Sequence, residues 1–75
     1  MQYFETSDFY LACFLRTCGY KLIGMERQRG RSAFIFADQP TRKETVLQFY
    51  TNEGLVPPLS FVDSIKNMKA MLHNA

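Results

Sequence analysis

The stretch from Tyr20 to Asp38 constrains the fold most, because two runs rich in β-branched and aromatic residues flank the pair Arg29-Gly30. Glycine readily supplies the positive φ that a two-residue hairpin turn requires. We therefore predict an antiparallel hairpin that turns at this pair. Counting outward from the turn gives the expected cross-strand pairs, which are Gln28 with Arg31, Arg27 with Ser32, Met25 with Phe34 and Ile23 with Phe36.

This register gives the hairpin two unlike surfaces, because side chains alternate between the faces of a strand. The face predicted to join the core carries Ile23, Met25, Phe34 and Phe36. The opposite face is small and apolar and carries Leu22, Gly24, Ala33, Ile35 and Ala37. Monomers seldom leave a contiguous apolar surface exposed. We therefore expect that a helix of the chain covers this second face, or that a partner docks there on Gly24, Ala33, Ile35 and Ala37.

Three segments outside the hairpin have the signals of helices. The first starts at Thr6-Ser7-Asp8, whose side-chain oxygens can accept from free backbone amides, and stops at Gly19. The second has Asp38 or Thr41 as its candidate cap and ends at Asn52-Glu53-Gly54. The third opens near Pro58, and its apolar residues recur at helical spacing, at Phe61, Ile65, Met68 and Leu72.

The N-terminal segment from Tyr3 to Thr6 is compatible with a short edge strand, because it carries two adjacent aromatic residues. The 75 residues fit one small domain, residues 1–75, without a visible boundary. We predict an α+β fold in which a central antiparallel hairpin, with or without this third strand, packs with three helices in the order β-α-β-β-α-α.

Basic residues concentrate around the hairpin. The formal net charge of +2 is too small to indicate nucleic-acid binding by itself. However, the segment from Lys21 to Lys43 contains six basic residues and only two acidic ones. The candidate phosphate-binding residues are Lys21, Arg27, Arg29, Arg31, Arg42 and Lys43. The alternative is that the arginines keep the hairpin tip soluble and discourage pairing of its edges.

The two cysteines lie five residues apart on the first predicted helix, Cys13 and Cys18. Their Cα atoms should be roughly 8 Å apart, which is beyond disulfide reach. We therefore expect free, packed thiols and a reducing compartment, with the cytoplasm as the default location. The sequence shows no secretion signal pattern and no apolar run long enough to cross a membrane.

No residue set forms a catalytic or metal-binding signature. The soft metal ligands are Cys13, Cys18 and His73, and neither their number nor their spacing suits a structural zinc site. An enzymatic alternative would need a site around Cys13 or His73, yet a nucleophilic cysteine requires a nearby base. Glu5 and Asp8 flank a helix start, where capping explains them better than acid–base chemistry. We expect no enzymatic activity, no cofactor and no metal.

Four segments are distinctive together: ETSDFYLA at 5–12, GYKL at 19–22, FIFAD at 34–38 and GLV at 54–56. They resemble a family of short bacterial and phage-associated domains of unknown function, over nearly the whole chain. The resemblance implies a small, free-standing bacterial protein from a mobile element or its neighbourhood, where nucleic-acid binding and regulatory interactions are common. It carries over no catalytic or ligand-binding residue.

Two functions therefore stand as hypotheses. The first is a non-enzymatic binding module that uses the basic hairpin tip for nucleic acid. The second is a protein-interaction or homo-oligomerising module, such as a homodimer, which pairs through the small apolar face of the hairpin or through the first helix. The two differ in what the helices leave uncovered: an open apolar face favours association, and an open arginine tip alone favours nucleic acid.

Overall fold

The computed structural model describes residues 2–74, which form one three-stranded antiparallel sheet and three helices. The elements in chain order are β1 (Tyr3–Thr6), α1 (Phe9–Thr17), β2 (Leu22–Gln28), β3 (Arg31–Ala37), α2 (Arg42–Tyr50) and α3 (Pro58–Asn74). The strand order is β1-β3-β2, so β3 is the central strand. The predicted α+β class and the order β-α-β-β-α-α are confirmed, and the N-terminal segment is a strand.

The hairpin turns at Arg29-Gly30, as the sequence predicts. Both residues have positive φ, 51° at Arg29 and 80° at Gly30, which is the backbone of a primed two-residue turn. Three of the four predicted pairs are confirmed: Gln28 with Arg31, Arg27 with Ser32, and Met25 with Phe34.

The predicted pair of Ile23 with Phe36 is wrong. Leu22 lies opposite Phe36 and Gly24 lies opposite Ile35, so Ile23 is one extra residue in β2. Because of this β-bulge, the side chain on the far side of it from the turn, that of Leu22, points to the opposite face from the one predicted. Leu22 therefore packs against the core in place of Ile23, and Ile23 is 44% exposed.

The hydrophobic core lies on one face of the sheet. Phe34 and Phe36 of the central strand are 1% and 0% exposed. Helix α1 packs against them through Leu11 and Leu15, which are also buried. Partly buried side chains of α2 and α3 complete the cluster, among them Val46, Phe49, Phe61, Ile65 and Leu72, together with the fully buried Met68. The predicted apolar stripe of α3 is therefore confirmed.

Helix α1 begins and ends where the sequence predicts. The Asp8 carboxylate accepts from the backbone N–H of Leu11 at 3.1 Å, which satisfies a free amide of the first turn. At the other end Gly19 has φ 96°, and the N–H of Tyr20 donates to the carbonyl of Leu15 at 3.0 Å. This is the hydrogen-bond pattern of a Schellman motif, which turns the chain from α1 into β2.

Helix α2 lacks the side-chain cap that the sequence predicts. Thr41 occupies the N-cap position, but its side chain makes no capping hydrogen bond. The Asp38 carboxylate accepts instead from the N–H of Gln39 at 2.9 Å and from the Arg42 guanidinium at 3.1 Å. Helix α3 begins at Pro58, as predicted, because proline needs no amide partner at a first helical position.

Gly54, in the connection between α2 and α3, lies against the ring of Phe14. A Cβ atom at this position would lie 2.5 Å from Cζ of Phe14 and 2.8 Å from its Cε1. The Phe14 ring is buried and packs against Phe49 with ring centroids 5.4 Å apart, so it has little room to move. The absence of a side chain at Gly54 therefore lets this connection close over α1.

We predict that Gly54→Ala lowers the free energy of unfolding by about 1–3 kcal/mol, because the added methyl overpacks the Phe14 site. The matched control is Gly24→Ala, where an added Cβ meets no atom within 4 Å. The control should stay within about 0.5 kcal/mol of the parent. Urea denaturation followed by circular dichroism measures both, and equal stability of the two variants would contradict the packing described.

Candidate functional site

The sheet face opposite the core contributes no side chain to the hydrophobic cluster of residues 2–74, and we call it the open face. Alternation along the three strands places the following residues on this open face: Tyr3, Glu5, Gly24, Glu26, Gln28, Arg31, Ala33, Ile35 and Ala37. None of them belongs to the hydrophobic core cluster of residues 2–74. A Cβ atom at Gly24 would point into open space. The four residues predicted as an interface, Gly24, Ala33, Ile35 and Ala37, therefore lie on one face of the sheet. Ala33 is only 5% exposed there, and the other three are half-buried.

The open face has an apolar centre and charged borders. Ile35 and Ala37 lie on the central strand, and Tyr3, opposite Ala37 on β1, is 58% exposed. Glu5 lies opposite Ile35 on one side, and Glu26 lies opposite Ala33 on the other. Arg31 lies on the same face near the hairpin tip, so the surface carries charges of both signs.

Strand β2 forms one edge of the sheet, but its outer side is poorly suited to adding another strand. The bulge at Ile23 interrupts its regular backbone spacing, and the exposed charges of Glu26 and Arg27 lie farther along it. Natural proteins use such bulges and charges to discourage edge-to-edge pairing. The broad face is therefore the better contact surface of this sheet.

The three arginines of the hairpin tip do not form one free cluster. Arg27 lies on the core side, where its Nη2 donates to the carbonyl oxygen of Leu72 at 3.1 Å. This carbonyl belongs to the last turn of α3, whose negative dipole end attracts a cation. Arg29 and Arg31 are exposed and make no salt bridge within the described residues. The tip therefore offers two available guanidinium groups.

The other three predicted basic residues lie at the opposite end of the hairpin. The carbonyl of Lys21 accepts from the N–H of Ala37, at the end of the strands remote from the turn. Lys43 belongs to the first turn of α2, which follows that same end. Seven strand residues separate this end from the tip, a distance of roughly 20 Å. The six predicted residues therefore form two separate groups.

Arg42 is engaged within the protein. Its Nε donates to Asp38 at 3.1 Å, and its guanidinium lies 4.4 Å from the centre of the Phe4 ring. The hydrogen bond from Arg42 lowers the pKa of the Asp38 carboxyl below its usual value. A stacked and paired arginine joins α2 to β1 and is less available to an external phosphate.

The two thiols have different surroundings. Both cysteines are free, and Cys13 is buried as predicted, but Cys18 is exposed. Five helical residues rotate a side chain by about 140° from the first, so Cys18 leaves the buried side of α1. Burial raises the pKa of Cys13 to about 11, although the nearby charge of Arg16 opposes this. The thiolate needed for nucleophilic attack is therefore scarce at Cys13 near neutral pH.

Asp8 and Tyr50 are structural partners. Asp8 caps α1 and also accepts from the Tyr50 hydroxyl at 2.7 Å, which raises the pKa of Tyr50. This confirms capping as the role of Asp8. Across residues 2–74, no cluster of three or more metal-ligating side chains occurs, and His73 lies exposed in the last turn of α3. Over the same range no helix has the length and apolarity to cross a membrane.

The chain matches a known protein family over almost its whole length. Residues 1–74 match the model of a family described as a domain of unknown function, DUF5659. The chain belongs to this family. The match covers almost every residue, so the resemblance noted in the sequence is confirmed. No curated protein and no solved structure shows significant similarity to this DUF5659 chain.

Two features of this DUF5659 chain escape prediction from the sequence. The first is the exposure of four apolar side chains on α2, on α3 and in the connection between them, Leu47, Leu55, Leu59 and Val62, with Leu55 94% exposed. Its signal in the sequence is that Leu59 and Val62 lie outside the apolar stripe of α3. The second is a cleft beside Arg16, between α1, β2 and α3. Its walls come from three separate elements, so no local pattern indicates it.

Proposed function

We propose that the protein is a non-enzymatic module that associates with a second copy of itself through the open face of its sheet. The observation that carries this proposal is that the three helices pack on one side of the sheet. Gly24, Ile35 and Ala37 on the other side are half-buried and contribute nothing to the core cluster, whereas Ala33 on the same face is buried. Burial of such a contiguous apolar surface is the usual driving force for association.

The arrangement of charges supports a second copy as the partner. A two-fold symmetric contact brings the same surface of both copies together, so that surface must complement itself. The open face carries Glu5 and Glu26 beside its apolar centre and Arg31 toward one end. A two-fold arrangement lets Arg31 of each copy approach a glutamate of the other. Gly24, Ala33 and Ala37 are small enough for the two sheets to approach closely.

The size of the open face predicts weak association. Three strands of up to seven residues cover roughly 20 Å by 15 Å, or about 300 Å² in projection. Stable complexes usually bury about 800 Å² per partner. We therefore expect a dimer that dissociates on dilution rather than an obligate one.

We also propose that the protein lacks enzymatic activity and resides in the cytoplasm. The buried, high-pKa thiol of Cys13 and the exposed His73 support the first statement, because neither group has the partner that catalysis requires. The free thiols of both cysteines support the second, because they suit a reducing compartment.

We predict that Ile35→Lys abolishes association. The lysine places a charge at the centre of the contact, where removing it from water is unfavourable even beside an opposite charge. In the monomer it lies opposite Glu5, so the sheet should tolerate it. Sedimentation equilibrium from about 10 µM to about 1 mM should show the parent mass rising toward that of a dimer and the variant remaining monomeric.

Gln48→Lys is the matched control, because it adds a positive charge at an exposed position of α2. It should associate like the parent. Leu55→Lys tests the most exposed apolar side chain in the same way and should also leave the mass unchanged. A monomeric parent throughout this range would refute self-association. Loss of association in Leu55→Lys, but not in Ile35→Lys, would place the contact around Leu55 instead.

Nucleic-acid binding at the hairpin tip is a second candidate, and the backbone of Arg29 favours it. This residue has φ 51°, a left-handed conformation that asparagine or glycine adopts more easily. An arginine held in that conformation and exposed at a tip indicates a use for its charge. Arg31 is exposed beside it, although Arg27 is engaged with α3.

For this candidate we predict oligonucleotide binding that weakens as salt rises, because bound counterions are released from phosphates. The double variant Arg29→Asn, Arg31→Ala should weaken oligonucleotide binding. It should also reduce the slope of log K against log salt concentration by about two, because two phosphate contacts are lost. Asparagine suits the turn backbone, so the fold should persist. Fluorescence anisotropy measures both quantities. The control Lys66→Ala, Lys69→Ala removes the same charge from α3, and an equal effect from it would exclude a specific role for the tip.

A further inference from the structure

An open cleft of about 670 Å³ lies between the C-terminal end of α1, the strand β2 and the last turns of α3. Its lining combines one guanidinium, two amides and three apolar side chains, from Arg16, Asn67, Asn74, Met25, Ala70 and Met71. Ligand sites in proteins commonly have volumes of about 300–1,000 Å³ and a mostly apolar lining with few polar groups. The cleft falls in this range of volume and has a mostly apolar lining, and it is broadly open to solvent, with Asn67, Ala70 and Asn74 exposed.

The guanidinium of Arg16 has poor partners in this cleft. Its Nη1 donates to Sδ of Met71 at 3.5 Å and to Sδ of Met68 at 3.6 Å. Thioether sulfur is a weak acceptor, whereas a guanidinium offers five donors and a full positive charge. Within residues 2–74 no carboxylate lies within salt-bridge distance of Arg16. The hydrogen bonds that this half-buried cation makes in the cleft therefore go to weak thioether acceptors.

We propose that this cleft binds a small organic acid that has a carboxylate and an apolar chain. The carboxylate accepts two parallel hydrogen bonds from Arg16, the geometry that a guanidinium favours. The apolar chain packs against Met25 and Met71, whose flexible side chains adapt to varied shapes. The amides of Asn67 and Asn74 can donate to a carboxylate oxygen at the rim.

A carboxylate fits this site better than a phosphate. Among residues 2–74, one cationic side chain lines the cleft, which matches the single charge of a carboxylate. A phosphate monoester carries almost two negative charges near neutral pH. Arg27, which also reaches α3, is already bound to the Leu72 carbonyl and contributes no second charge to the lining.

The test is an NMR titration of methyl-labelled methionines with sodium octanoate. We expect saturable shifts of the Met25 and Met71 methyl resonances. Octan-1-ol keeps the apolar chain but lacks the charge. Its affinity should be lower than that of octanoate by at least about tenfold, because it cannot make the charged hydrogen bonds to Arg16. Inorganic phosphate, which has charge without a chain, should not compete with octanoate.

The matched variants are Arg16→Gln and Lys66→Gln, each of which removes one positive charge; Lys66 is exposed on α3 and does not line the cleft. The first should weaken octanoate binding about tenfold or more, and the second should leave it unchanged. Equal affinity of the parent for octanoate and octan-1-ol would overturn the proposal, and this comparison does not depend on the folding of any variant. Displacement of octanoate by phosphate, or unchanged binding by folded Arg16→Gln, would also overturn it.

Discussion

The three helices of this small domain pack against a single face of its sheet, with Phe34 and Phe36 of the central strand in the middle of the contact. A chain of 75 residues has only enough secondary structure for two layers, one of helices and one of strands. The second face of the sheet is then left without a layer of its own. This one-sided packing determines which surfaces remain available for function.

The same constraint separates the charged groups of the hairpin. Residues that alternate along β2 and β3 face opposite sides, so Arg27 reaches α3 while Arg31 lies on the open face. Arg42 joins α2 to β1 through Asp38 and the Phe4 ring. A local excess of positive charge in the sequence therefore becomes several separate groups in the fold, and two of its arginines serve structural contacts.

Local signals predicted the elements of this fold well, since caps and turns depend on few neighbouring residues. Asp8, Gly19, Gly30 and Pro58 each occupy the positions that their chemistry favours. The bulge at Ile23 was not predictable, because Leu22 and Ile23 are both apolar and either could face the core. The four predicted interface residues lie between the bulge and the turn or on β3. The bulge therefore does not change which face they share.

Other features could be recognised only in the folded structure, because they depend on packing between distant parts of the chain. The Arg16 cleft combines side chains from α1, β2 and α3, and the exposure of Cys18 depends on how α1 lies against its neighbours. The contact of Gly54 with Phe14 joins residues that are forty positions apart. Such features arise from packing between elements, and residue type alone does not indicate them.

On this account the open face is accessible to solvent in the monomer and becomes covered when two copies associate. Paramagnetic relaxation of methyl groups by a soluble gadolinium complex tests it most directly. At low protein concentration the methyls of Ile35 and Ala37 should relax strongly, and at high concentration they should be protected, while buried Leu15 stays protected throughout. Equal exposure of Ile35 and Ala37 at both concentrations, or protection already present in the dilute monomer, would contradict the account.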